Sequence, residues 1–175
     1  MSTDRRKALR TIRDIVGPAG IVDDPAMWPA YLIDERQLYE GAAALIVRPA
    51  STREVADVVR VCHEAGLGIV PQGGNTGYCG GATPDDAENQ VLLCLGRMNK
   101  VRAVDPVGFT MTLDAGVVLE TAQKTAAAHD LLFPLAMGVA LTGFEFLVAP
   151  AYRLPMLNAV VIPKGVDDAA TRKRL

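Results

Sequence analysis

Apolar residues recur at helical spacing in a stretch of the chain that lies between two short apolar runs. Residues 43–47 and 68–70 are mostly apolar and short enough for buried strands. Between them, residues 52–65 place apolar side chains on one helical face, at Val55, Val58, Val59 and Cys62. The pattern predicts a strand, a helix and a second strand, with the two strands adjacent and parallel because such connections are right-handed.

Capping signals agree with this pattern. Ser51 and Glu54 have the spacing of a capping box, in which each side chain satisfies a free backbone N–H at a helix start. Gly66 is the expected C-cap. A further helix is predicted over residues 4–16, where Leu9, Ile12 and Val16 share one face and a glycine-proline pair follows.

The rest of the chain shows strand and turn patterns. Residues 23–41 mix aromatic and charged residues and predict an irregular surface segment, while residues 90–95 predict a strand. Residues 100–105 and 109–113 alternate around a Pro-Val-Gly turn, which predicts a hairpin. Residues 117–129 are Ala-rich and predict a helix. The fold class expected from these elements is α/β, with α+β character in the hairpin part.

Composition excludes several classes of protein. A chain of 175 residues, half of them hydrophobic, can form one medium domain or two small subdomains around one core. Its 18 basic and 20 acidic residues give a net charge of −2, which argues against a nucleic-acid partner. No apolar run reaches the length of a membrane span, and no signal-peptide stretch follows the charged N-terminus. We therefore expect no transmembrane segment and a cytoplasmic location.

The cysteines and histidines give little support for a disulfide framework or a metal site. Cys62, Cys79 and Cys94 are odd in number and have no CxxC spacing. His63 and His129 are the only histidines, so we expect no metal site. His63 lies on the polar side of its helix and should be solvated. His129, near a helix end, is expected to cap the helix or face water and not to catalyse.

A glycine-rich loop, "PQGGNTGYCGGA" over residues 71–82, follows directly on the second predicted strand. Consecutive small residues can leave backbone N–H groups pointing into a common hollow that binds anionic oxygens, most often those of phosphate. Glycine also permits positive φ angles, which we expect at Gly74, and Asn75 and Thr76 could add side-chain hydrogen bonds to the ligand. The loop has neither the Gly-Lys-Ser/Thr of a Walker A motif nor two glycines spaced i, i+2 as in the dinucleotide fingerprint. The alternative interpretation is a mobile surface turn.

The extended sequence "PQGGNTGYCGGATP" resembles the flavin diphosphate loop of the FAD-linked oxidases related to vanillyl-alcohol oxidase. The likeness is greatest to the branch that includes D-lactate dehydrogenase, D-2-hydroxyglutarate dehydrogenase and one component of glycolate oxidase. "YLIDERQLYEG", "ALIVRPASTREVADVVRVCHEAGLGIV", "LGRMNKVRAVDPVGFTMTLDAGVVL" and "LLFPL" are similar to further family segments in the same order. The resemblance implies a PCMH-type FAD-binding domain, with a first subdomain and an incomplete second one.

The resemblance also implies which residues bind the FAD cofactor. The positions that match the family's cofactor contacts are Pro71, Gln72, Gly73, Gly74, Asn75, Thr76, Gly77, Gly80, Gly81 and Pro134. Most would act through backbone N–H groups around the diphosphate, and Leu135 would lie near the cofactor with Pro134. Cys79 stands where the family has an apolar residue. It is expected to be buried packing, and a covalent flavin link is the alternative.

The resemblance covers roughly residues 28–135. The family's second glycine-rich stretch, its substrate region and its catalytic and metal-binding histidines have no counterpart here, so no catalytic residue is assigned. We divide the chain into an N-terminal helix with an irregular segment at 1–42, a partial FAD-binding domain at 43–138 and a divergent tail at 139–175. Three hypotheses follow. The chain is part of an FAD-dependent 2-hydroxy-acid dehydrogenase, a non-catalytic fragment, or an interaction subunit that needs a separately encoded C-terminal half or a second copy.

Overall fold

A parallel sheet of three strands forms the first half of the structure. The computed structural model describes residues 3–133, 157–160 and 162–163. Strands β1 (Leu45–Val47) and β2 (Gly68–Gln72) both pair in parallel with β3 (Gln90–Cys94), which lies between them. The parallel direction was predicted correctly, but the prediction that β1 and β2 are adjacent was wrong. The connection from β1 to β2 leaves a gap of one strand, and β3 fills it because its side chains are apolar on both faces.

Helix α3 (Thr52–Ala65) connects β1 to β2, with the predicted bounds. The Ser51 hydroxyl accepts from the Glu54 N–H at 3.2 Å, and the Glu54 carboxylate accepts from the Ala50 N–H at 2.8 Å. This is the predicted capping box, except that the Glu54 carboxylate accepts from the N–H of Ala50 and not from that of Ser51. A cap of this type stabilises a helix by about 1 kcal/mol. Gly66 ends the helix in the left-handed conformation, with φ of 62°.

Different elements cover the two faces of this sheet. Helix α1 (Thr3–Val16) packs beside α3 on one face, where the buried residues include Ile12, Val16, Val58, Cys62, Val91 and Leu93. The segment before β1 covers the other face and buries Val22, Leu32, Ala43, Ile46, Leu92 and Cys94. This segment contains two short helical turns, at Pro25–Met27 and at α2 (Pro29–Leu32), and is otherwise irregular, as predicted. It therefore runs over the sheet on the face opposite to α1 and α3.

The second half contains the predicted hairpin and helix. Strands β4 (Val101–Asp105) and β5 (Thr110–Leu113) are antiparallel, and α4 (Leu119–Ala127) buries its apolar face together with β5. Strand β7 (Leu157–Val160) pairs antiparallel with β5, and β6 (Leu131–Leu132) pairs with β8 (Ile162–Pro163). The sequence analysis did not predict strands in the tail. The partner of a strand can lie far away in the chain, so the choice of partner leaves no local sequence signal.

Close backbone approach joins the two halves at Gly116. Its N–H donates to the Met98 carbonyl oxygen at 2.7 Å. A Cβ at this position would lie 2.0 Å from the Leu95 carbonyl oxygen, so only glycine fits. Within the second half, an ion pair between Arg102 and the buried Asp114 joins β4 to the residue that follows β5. None of the helices in the described part of the chain is long and apolar enough to cross a membrane.

Candidate cofactor site

The glycine-rich loop begins where β2 ends, at the carboxyl edge of the parallel sheet. Gln72 is the last residue of β2 and residues 73–82 form the loop. Ligands of open α/β sheets bind outside the carboxyl ends of the strands, because connections that lead away from the sheet leave a crevice there. The loop therefore lies where such a fold places its ligand.

The Gln72 side chain closes the base of the loop. It is 1% exposed, and its amide donates to the carbonyl oxygen of Ala82 at 3.0 Å and to that of Tyr31 at 2.8 Å. One buried amide thus connects the end of β2 to the last residue of the loop and fixes both to the segment that contains α2. Gln72 therefore supports the loop through hydrogen bonds made in the protein interior. Pro71, in the same strand, has no N–H to donate to a ligand.

Asn75 attaches the middle of the loop to the same segment. Its side-chain amide donates to the carbonyl oxygens of Ala30 at 3.1 Å and Ile33 at 2.7 Å. Its backbone has a positive φ of 56°, which Asn tolerates better than other residues with a Cβ. The sequence analysis expected this amide to bond the ligand, but both of its N–H bonds hold the loop to the protein.

The backbone N–H groups of the loop are free of partners in the described part of the chain. Residues 73–82 have ten such groups, and none donates a hydrogen bond to a described acceptor. The hydrogen bonds that shape the loop come from the side chains of Gln72 and Asn75 and from the Thr83 N–H, which donates to the Gly80 carbonyl oxygen at 3.1 Å. A loop that is fixed in shape and rich in free N–H groups is a preformed site for anionic oxygens.

The glycines of the loop serve different purposes. Gly80 has a positive φ of 70°, and a Cβ there would lie 3.0 Å from the ring of Tyr39. Gly74 does not have a positive φ, so that part of the expectation was wrong. A Cβ at Gly74 would meet only the Thr76 methyl group, at 3.6 Å, and at Gly81 it would meet nothing within 4 Å. Gly74 and Gly81 therefore leave open space where a ligand can approach the backbone.

A turn over residues 34–39 lies against the loop. The buried Asp34 carboxylate accepts from the N–H groups of Leu38 and Tyr39, each at 2.7 Å, and of Arg36 at 3.2 Å. These hydrogen bonds hold the pKa of Asp34 below its usual value, and the bond from Tyr39 has the largest effect. Burial acts in the opposite direction and raises the pKa. Asp34 thus stays ionised and fixes the turn.

A cavity of about 650 Å³ opens between residues 29–40 and the glycine-rich loop. It is lined by Pro29, Ala30, Ile33, Asp34, Glu35, Gln37, Glu40, Gly74 and Asn75. The volume is within the range usual for small-molecule sites. Gly74 and Asn75 of the glycine-rich loop therefore line one side of the cavity, and the segment with α2 lines the other.

The cysteines and histidines are placed partly as predicted. Cys62 is buried in the core between α1 and α3, as expected, and Cys94 is also buried. Cys79 is exposed, so the prediction of buried packing was wrong, because the loop turns this side chain outward. His63 is exposed, and His129 contacts the Thr125 carbonyl oxygen at 2.9 Å near the end of α4, which agrees with the expected roles.

The remaining predicted site residues are close together where they can be described. Gly73, Thr76 and Gly77 continue the loop, with Thr76 and Gly77 buried. Pro134 and Leu135 lie outside the described residues. Sequence reasoning gave no role to the carbonyl groups of Ala30, Tyr31 and Ile33, although the similar segment "YLIDERQLYEG" was noted. Backbone acceptors have no side-chain signature, so only the matching donors Gln72 and Asn75 could have suggested them.

Comparison with known proteins identifies the ligand class. Residues 43–143 match the FAD binding domain family, which is more than half of the chain. This chain belongs to that family. Its FAD-binding domain includes the whole glycine-rich loop, and the fit is physical as well. Ten N–H groups without an acceptor among residues 3–133, 157–160 and 162–163, together with two open glycine positions, suit the anionic oxygens of the FAD diphosphate.

Curated relatives name the branch of the family. A Schizosaccharomyces pombe protein with the provisional name mitochondrial D-lactate dehydrogenase is 35% identical over 137 residues, 74% of this chain and 26% of its own length. The mitochondrial D-2-hydroxyglutarate dehydrogenase of Bos taurus is 33% identical over 123 residues, 70% of this chain and 22% of its own length. The chain thus spans about a quarter of the length of these relatives.

Solved structures agree on the fold. 6-Hydroxy-D-nicotine oxidase from Arthrobacter nicotinovorans is 29% identical with a TM-score of 0.55, over 67% of this chain and 26% of that one. An alkyldihydroxyacetonephosphate synthase is 24% identical with a TM-score of 0.67, over 73% of this chain and 26% of that one. This FAD-binding domain is therefore of the PCMH type found in oxidases related to vanillyl-alcohol oxidase. The family resemblance seen in the sequence is confirmed.

Proposed function

We propose that this chain forms the diphosphate-binding part of an FAD-dependent dehydrogenase that oxidises 2-hydroxy acids of the D-lactate, glycolate or D-2-hydroxyglutarate class. FAD binding follows from the family. The substrate class is supported by the names of the relatives. The observation that carries the proposal is the loop over residues 73–82, which is closed by Gln72, fixed by Asn75 and free at its backbone N–H groups.

The residues of this chain have a positioning role. Bound FAD supplies the hydride-accepting chemistry. The loop N–H groups hold the diphosphate oxygens, and the bonds of Gln72 and Asn75 keep those N–H groups in place without rearrangement on binding. Such preorganisation strengthens binding because the entropy of ordering the loop is lost on folding and not on association.

The substrate and the base that removes its hydroxyl proton require residues beyond those of the loop and its supporting segment. Because the chain spans about a quarter of its relatives, we propose that those residues come from a complementary part, either on the same polypeptide or separately encoded. A cytoplasmic location stays a prediction, and the two relatives above are named as mitochondrial.

Flavin fluorescence titration of the full chain tests the proposal. Wild type should bind FAD, and Gly74→Val should lose measurable binding, because the new side chain occupies the hollow beside the free N–H groups. Since a Cβ at Gly74 meets only the Thr76 methyl group at 3.6 Å, the melting temperature of the ligand-free variant should stay close to that of wild type. Equal FAD affinity of wild type and Gly74→Val would reject the loop as the diphosphate site.

A further inference from the structure

Two segments are strongly acidic: the one that contains the loop and the one that packs against the loop. Residues 28–47 and 66–96 contain one Arg and no Lys, and that residue is Arg36. The same segments contain six carboxylates, at Asp34, Glu35, Glu40, Asp85, Asp86 and Glu88. Three of the six, Asp34, Glu35 and Glu40, line the cavity beside the loop. A diphosphate that approaches the loop N–H groups therefore meets a field of like charge, which Arg36 can offset from within these segments. Arg48 and Arg97 directly follow the two segments, and the Arg97 guanidinium donates to the Arg48 carbonyl oxygen at 2.8 Å.

Contacts at two loop residues, Tyr78 and Gly80, hold the turn that carries Arg36 close to the loop. The Arg36 guanidinium lies over the ring of Tyr78, a loop residue, at 5.5 Å from the ring centroid. Its backbone N–H donates to Asp34, which fixes the turn that carries it. The Tyr39 ring in the same turn lies against Gly80, the next glycine of the loop. The turn over residues 34–39 is thus joined to the loop at both Tyr78 and Gly80.

The guanidinium still has hydrogen-bonding capacity in this position. It forms no salt bridge with a carboxylate in the described ranges, where the ion pairs involve other cations. Stacking on an aromatic ring uses the face of the guanidinium and leaves its in-plane N–H groups available. Those groups match the geometry of phosphate oxygens, which they bind in pairs.

We propose that Arg36 is a cofactor-binding residue that reaches from its position over Tyr78 to the FAD diphosphate and neutralises its charge. This inference rests on the proposed FAD binding by the loop. The loop supplies neutral N–H donors, and Arg36 supplies the positive charge within residues 28–47 and 66–96. The turn that carries Arg36 lies before residue 43, where the match to the FAD binding domain family begins, so the functional unit extends beyond that match.

The test is FAD affinity of the full chain at low and high ionic strength, measured by flavin fluorescence. Arg36→Gln should bind FAD roughly tenfold more weakly at low salt, the usual effect of losing a hydrogen bond to a charged group. The difference from wild type should shrink at high salt because exposed charges are screened. Arg36→Lys should recover part of the affinity, since it restores the charge but not the paired N–H groups. Arg10→Gln removes an exposed Arg on α1 and serves as the control of equal net charge.

The salt dependence and the lysine rescue separate charge neutralisation from a structural role. If Arg36 only steadied Tyr78, Arg36→Gln would weaken binding equally at both ionic strengths and Lys would not rescue it, and that outcome overturns the inference. Affinity of Arg36→Gln equal to that of Arg10→Gln overturns it as well. A wild-type chain that does not bind FAD would overturn the proposed function itself, which the wild-type titration reports separately.

Discussion

The side-chain amide of Asn75 donates to the carbonyl oxygen of Ile33 at 2.7 Å, across 42 residues of sequence. The acceptor belongs to a segment that packs on the sheet through Leu32, and the donor lies in the middle of the glycine-rich loop. A hydrogen bond of this kind contributes about 1 kcal/mol to the stability of a typical protein. The loop is therefore held in shape by a segment outside the loop.

Asn75→Ala should weaken FAD binding by about 1–3 kcal/mol, because it removes two amide donors and places alanine at a positive φ. Asn75→Gly removes the same donors but keeps the left-handed backbone accessible, so its loss should be smaller. Fluorescence titration of both variants with FAD measures the two contributions. Equal affinity of Asn75→Ala and wild type would show that these bonds do not shape the site.

Gly80→Ala should destabilise the ligand-free protein by roughly 1–2 kcal/mol, since alanine resists a φ of 70°. The added Cβ would also press on the Tyr39 ring at 3.0 Å. Gly81→Ala is the matched control, because its Cβ meets nothing within 4 Å and its φ is not positive. Thermal unfolding followed by circular dichroism compares them. A melting temperature for Gly80→Ala as high as that of Gly81→Ala would contradict this account of the loop.

Cys79 should be the one fast-reacting thiol among the three cysteines, and bound FAD should slow its reaction. Cys62 and Cys94 are buried, and burial raises the pKa of the Cys62 thiol to about 11. At pH 8 Cys62 is therefore protonated as well as inaccessible, and only thiolates attack disulfide reagents. Labelling with a chromogenic disulfide at pH 8, with and without FAD, counts the reactive thiols.

A Cys79→Ser variant provides the control for that labelling, and it should lose the fast phase completely. Fast reaction of two or more thiols in the native wild type would contradict the burial of Cys62 and Cys94. An unchanged rate for Cys79 at saturating FAD would place the cofactor away from this part of the loop.

The purified chain alone should not oxidise D-lactate, D-2-hydroxyglutarate or glycolate. Orientation of substrate against the cofactor can lower a barrier by roughly 7–11 kcal/mol, and it requires residues that hold both partners. The chain spans about a quarter of the length of its relatives, and none of the described residues is assigned to the substrate. A dye-reduction assay with added FAD checks this. Turnover well above that of Gly74→Val would show that the short chain builds a complete site.

The sequence by itself determined the local elements and the ligand class. The capping box at Ser51 and the C-cap at Gly66 delimit α3 at the predicted residues, because caps and helical periodicity depend on neighbours within a few positions. The glycine-rich loop indicated an anion site for a similar reason, since bare backbone is a local property. The family match to residues 43–143 confirmed the assignment to FAD.

Only the tertiary structure decided what depends on distant contacts. It placed β3 between β1 and β2 and assigned the positive φ angles to Asn75 and Gly80 instead of Gly74. It also turned Cys79 outward and directed the amides of Gln72 and Asn75 to backbone carbonyl groups some forty residues earlier. Strand order and long-range acceptors are set by which surfaces bury together after the chain collapses. A backbone carbonyl is chemically the same at every position, so the sequence carries no mark of the one that is used.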